Sequence, residues 1–142
     1  MMVAMLSEEI QSGTCLIAES DPFIAKLLVR YAEGSNLNCV RAREGDDVVA
    51  LAREKKPDVI ILDAEFPGEK VGWEMMRALK SDEETQQIAL IGCSWLSQSE
   101  VHTLAGSLIG FLQKPNISYS DFEEVIEAAG VLKSGISPET SA

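Results

Sequence analysis

Four side chains in this 142-residue sequence have types and positions suited to phosphoryl chemistry: Glu19, Asp63, Ser94 and Lys114. A carboxylate can attack phosphorus and form an acyl phosphate. An ammonium and a hydroxyl can hold the phosphoryl oxygens while charge develops there. Two carboxylates brought together repel, and one stays protonated unless a cation sits between them. Lys114 could be that cation. So could Mg²⁺, which typically takes one or two carboxylates with waters and a phosphate oxygen. Asp63 alone reads equally well as a solvated acid at a loop start. The convergence of all four argues for a site.

They converge only if the chain places them on one rim, and the hydrophobic pattern does so. Short apolar runs at 14–18, 37–41, 58–62, 88–93 and 108–112 read as buried strands. Between them lie helical patterns. Asp21 and Pro22 open one that Gly34 stops. Others are expected at 45–56, ended by Pro57, at 72–81, at 97–105 behind a Ser97 cap and before Gly106, and at 118–132. Apolar strands alternating with helices predict an α/β fold, a doubly wound parallel sheet covered on both faces. Such sheets bind and react beyond the carboxyl ends of their strands. Glu19 then follows the first strand, Asp63 the third, Ser94 the fourth and Lys114 the fifth.

Composition narrows the function classes. Twelve basic against 23 acidic residues give a net charge of −11, which leaves no cationic surface for nucleic acid or anionic membranes. No apolar run reaches the ~18 residues of a membrane span. The N-terminus meets Glu8 and Glu9 too early for a signal peptide, so a cytoplasmic protein is expected. Cys15, Cys39 and Cys93 are far apart and His102 is the only histidine, which disfavours zinc and a disulfide framework. Each cysteine lies in an apolar run and reads as a buried, inert thiol.

Taken together, LIAESDPFIAKLL, PDVIILD with Pro67-Gly68 behind it, IGCSW and GFLQKP resemble the receiver domain of response regulators, the phosphoacceptor half of two-component signalling. The resemblance covers about residues 13–132, leaving an N-terminal extension at 1–12 and a tail or linker stub at 133–142. The spacing agrees: 44 positions from Glu19 to Asp63, 31 on to Ser94 and 20 on to Lys114. It implies a five-stranded (βα)5 flavodoxin-like fold with strand order 2-1-3-4-5. It makes Asp63 the phosphoacceptor, Lys114 the lysine that contacts the phosphoryl group, Ser94 the switch hydroxyl and Phe111 the switch aromatic. It implies a cis Lys114-Pro115 bond, Mg²⁺ near Glu19 and Asp63, and a histidine kinase or phosphotransfer protein as donor. The output face would be formed by the fourth helix, the fifth strand and the fifth helix, used by a downstream protein or a homodimer. Activity would be confined to slow self-phosphorylation from a phosphodonor.

Several residues depart from that pattern. Ser20 stands where the second acid of the pair belongs, and Asp21 comes one position later. The loop after Asp63 is one residue longer than usual. The stretch from Ser94 to Lys114 is about two residues short. Trp95 replaces a small residue and could gate the pocket. Glu65 is the candidate to restore the missing charge, so the expected metal ligands are Glu19, Asp63 and Glu65, binding weakly. Residues 95–112 carry one formal charge, Glu100, among many apolar side chains, as a partner surface would. Two other functions use the same residues. A degenerate receiver would bind a partner without phosphorylation, and a small phosphatase would use Asp63 with Glu65. A flavin-binding domain is disfavoured, because no phosphate-cradling Gly/Ser/Thr loop follows the first strand.

Overall fold

The structure is a computed structural model that describes residues 13–131. The expected extension at 1–12 and tail at 133–142 lie outside the described residues. Five strands, β1 (Gly13–Ala18), β2 (Leu37–Arg41), β3 (Val59–Asp63), β4 (Ala89–Ser94) and β5 (Gly110–Gln113), form one parallel sheet in the order β2-β1-β3-β4-β5. Five helices connect and flank them: α1 (Pro22–Gly34), α2 (Val48–Lys55), α3 (Gly72–Ser81), α4 (Gln98–Ala105) and α5 (Tyr119–Ala128). This is the expected doubly wound fold.

Alternation along the strands divides the core in two. Cys15, Ile17, Val59, Ile61, Ile91 and Cys93 point to the side of α1 and α5, onto Ile24, Leu28, Phe122 and Ile126. Leu16, Ala18, Ile60, Leu62 and Leu90 point to the side of α2, α3 and α4, onto Val48, Met75, Met76, Leu79 and Val101. Both faces are therefore dry, which is why the strands carry apolar runs without polar alternation. The Cys15 and Cys93 thiols are buried, and burial pushes both far above the ordinary cysteine range, as expected of inert thiols.

Several element ends differ from expectation, each for a local reason. α2 begins at Val48, not Gly45, because Gly45 takes a left-handed φ of 89° and Asp47 caps the helix through Val49 N and Ala50 N. α5 ends at Ala128, well before 132, where Gly130 adopts φ 78°. β5 starts at Gly110, so Leu108 and Ile109 belong to its approach. β3 and β4 each run one residue further than predicted. Asp63 and Ser94 are thus the last residues of their strands, held in register by the ladder.

Candidate functional site

The carboxyl ends of β1, β3, β4 and β5 bring Glu19, Asp63, Ser94 and Lys114 together. β1 hands over to α1 in three residues. Asp21 caps α1 by accepting from Phe23 N at 2.9 Å and Ile24 N at 3.1 Å, and Asp21 N donates to Glu19 Oε2 at 2.9 Å. That local turn aims Glu19 inward. Asp63 is fixed by the ladder and by the tight fold of the chain after it. Phe66 N donates to the Asp63 carbonyl and Trp73 N to that of Ala64. Gly72 opens α3 directly against this backbone, where a methyl group would overlap the Asp63 carbonyl oxygen. An antiparallel bridge joins Pro67 and Val71 within this loop.

Lys114 joins the two acids. Its Nζ lies 2.7 Å from Glu19 Oε2 and 3.3 Å from Asp63 Oδ1, and all three side chains are almost wholly buried. Burial alone lowers an ammonium pKa. Here the hydrogen bond to Glu19 and the negative charges of Asp63 and Glu19 outweigh it and leave Lys114 above its ordinary value. Burial raises the Glu19 carboxyl above its ordinary value, against the opposing pull of Lys114 and Asp21 N. Lys114-Pro115 is cis, as the resemblance implied.

The remaining contacts show what the departures from the family pattern do. Ser20 Oγ donates to Asp63 Oδ2 at 3.0 Å, while Glu65 N donates to Oδ1 at 2.9 Å. Glu65 does not turn its carboxylate toward Glu19 and Asp63. It accepts from Ser94 Oγ at 2.8 Å. Among the described residues no three acidic, histidine or cysteine side chains are grouped to hold a metal ion. Of the expected ligands Glu19, Asp63 and Glu65, the first two are buried carboxylates that share Lys114, and Glu65 is engaged by Ser94. The Trp95 ring is 55% exposed and its centroid lies 5.7 Å from Lys114 Nζ, a cation–π approach at the pocket mouth. Phe111 is half-buried against the second core cluster.

Gln113 is a site residue that sequence reasoning missed. Its Nε2 lies within hydrogen-bond reach of the carbonyls of Ser94 (3.0 Å), Trp95 (3.3 Å), Leu96 (3.0 Å) and Lys114 (3.4 Å). It joins the loop after Ser94 to the residue after β5. Nothing in its type or spacing marked it, because its partners are backbone carbonyls.

The chain is similar to known proteins in sequence and fold. Residues 15–127 match the family model of the response regulator receiver domain. The polar-differentiation response regulator DivK of Brucella ovis is 32% identical over 115 residues, 80% of this chain and 92% of that protein. The signal receiver domain of a signal transduction histidine kinase from Syntrophus aciditrophicus superposes with a TM-score of 0.71 at 25% identity, over 92% of this chain and 96% of that one. The receiver domain of sensor histidine kinase PA1611 from Pseudomonas aeruginosa, which has a magnesium ion in its active-site cleft, superposes with a TM-score of 0.70 at 16% identity, over 84% and 98%.

Proposed function

The chain belongs to the response regulator receiver domain family, a phosphoryl-accepting signalling module, and we propose that Asp63 is its phosphoacceptor. The observation that carries this is the buried Asp63 carboxylate at the end of β3, paired with Lys114 across 3.3 Å. Asp63 Oδ2, held only by the neutral Ser20 hydroxyl, is the oxygen free to attack. The new bond joins Oδ2 to phosphorus. The bond from phosphorus to a donor histidine nitrogen, or to the leaving oxygen of a small acyl phosphate, breaks and its electron pair departs with the donor. Lys114 stands where it meets the charge on the phosphoryl oxygens, and Ser94 supplies a hydroxyl from β4. Movement of Ser94 and Phe111 would then carry the signal to the face built by α4, β5 and α5. The donor would be a histidine kinase or phosphotransfer protein in the same cytoplasmic compartment.

A divalent cation fits the pocket in reduced form. Glu19 Oε1 is a buried oxygen without a hydrogen-bond partner, of the hard type that Mg²⁺ takes. Glu19 and Asp63 would hold the ion, with the Ser20 hydroxyl where a third charge would normally help. Once bound, it would neutralise charge on the phosphoryl group. Incubating the protein with acetyl phosphate and Mg²⁺ and measuring intact mass tests the proposal. One phosphoryl group is expected in the unmodified protein and none in Asp63→Asn. A gain that persists in Asp63→Asn would place the chemistry elsewhere.

A second reading, partner binding without phosphorylation, draws on Ser20 and on Trp95 over Lys114. No phosphoryl transfer from any donor, together with intact partner binding, would establish it. On either reading the folded unit is proposed to span about 13–132, and any activity to be limited to slow self-phosphorylation.

A further inference from the structure

Ser94 has one hydroxyl proton and spends it on Glu65. Its Oγ donates to Glu65 Oε2 at 2.8 Å and accepts from Leu96 N at 2.9 Å, so its donor capacity is fully used. Glu65 is tied to the acceptor residue as well, since its backbone N–H donates to Asp63 Oδ1. One residue therefore touches Asp63 through its main chain and Ser94 through its side chain. The bond to Ser94 is assisted by charge, which makes it stronger than one between neutral groups. Glu65 is also exposed. Its carboxylate can swing into water with little desolvation cost, whereas Ser94 is buried and cannot.

We propose that Glu65 is a latch on the switch: its carboxylate competes with the phosphoryl group for the single proton of Ser94 and holds Ser94 in its resting place. Glu65 is a positioning residue, acting through Ser94. The inference rests on Asp63 as phosphoacceptor. A phosphoryl group on Asp63 adds negative charge beside Glu65, and like charges in a confined site repel. The carboxylate leaves for solvent, the hydroxyl proton turns to the phosphoryl oxygen, and Ser94 moves. Until then the latch sets a threshold that phosphorylation must exceed.

Two effects of removing Glu65 must be separated: release of the hydroxyl, and loss of a repelling charge. Beryllofluoride with Mg²⁺, a phosphoryl mimic, serves as the probe on the full chain, and bound fluorine is followed by ¹⁹F NMR. Glu65→Ala is expected to tighten beryllofluoride binding roughly tenfold, the scale of one contested charge-assisted hydrogen bond. Glu65→Gln, whose amide oxygen still accepts, is expected to fall between the two. In a Ser94→Ala background the Glu65→Ala gain is expected to shrink to the part that lost charge repulsion supplies. A gain of equal size in that background would show charge repulsion alone and overturn the latch. So would unchanged binding in Glu65→Ala while binding still depends on Asp63. Absence of Asp63-dependent binding in every variant would overturn the phosphoacceptor reading, and the latch with it.

Discussion

Ser20 Oγ donates a hydrogen bond to Asp63 Oδ2 over 3.0 Å, so a neutral hydroxyl occupies the face of Asp63 that a second carboxylate would otherwise confront. The pocket thereby holds two acids against one lysine before any metal ion binds, and a third carboxylate would add to that imbalance.

That imbalance predicts the behaviour of Ser20→Asp. The added carboxylate would share Lys114 with Glu19 and Asp63 and lower the stability of the metal-free protein. The same carboxylate is a hard ligand, so Mg²⁺ would bind more tightly than to the unmodified chain. By linkage, the thermal midpoint of Ser20→Asp should rise with Mg²⁺ much more than that of the unmodified protein. Equal shifts in the two proteins would show that Ser20 lies outside the cation's reach.

Lys114→Met should be costly because it strands two buried acids. Removing one partner of a buried ion pair costs on the order of 3 kcal/mol, read as a lowered denaturant midpoint at neutral pH. The pH dependence has a definite sign. Lys114 lies above its ordinary value of 10.5 in the folded state. Its contribution is full below that value and is lost as pH rises through the higher folded value. Glu19 is raised from 4.5, so its contribution is full below that point and lost as pH rises through its folded value. The deficit of Lys114→Met should therefore shrink in acid, where Glu19 is neutral. A deficit independent of pH would show that packing, not charge, sets the cost.

The charge-poor stretch 95–112 divides into core and surface. Val101 and Leu112 are buried, Leu96, Leu104, Leu108 and Phe111 are half-buried, and Trp95 and Ile109 are more than half exposed at 55% and 53%. The face suited to a partner is thus smaller than the sequence suggested. Ile109→Glu should keep the fold, with a stability change within about 0.5 kcal/mol, as is usual for surface positions. It should also weaken self-association measured by sedimentation velocity. A purely monomeric unmodified protein at high concentration would remove the homodimer from consideration.

The sheet and the four rim residues were legible in the sequence because both depend on residue type at fixed spacing. Buried parallel strands demand runs such as VIIL, and Asp63, Ser94 and Lys114 follow from where those runs stop. Helix starts were legible where a side chain caps, as Asp21 and Ser97 do. The start of α2 was misplaced because Gly45 and Asp47 both offer a boundary signal, and only the backbone conformation chooses between them. Partner choice inside the site was not legible. Glu65 was expected to face Glu19 and Asp63, but a carboxylate two residues past a strand end can turn either way. The hydroxyl of Ser94, 29 positions along, decides it.

The Gln113 amide has only two protons for the four carbonyls around it. The carbonyls of 94–96 and that of Lys114 draw on one small pool of donors, so the two loops at this end of the sheet have a common local stability. Lys114 N ties them as well, donating to the Ser94 carbonyl at 2.9 Å. In hydrogen exchange the amides beside Trp95 and Lys114 would then lose protection together, as one cooperative unit laid across β4 and β5.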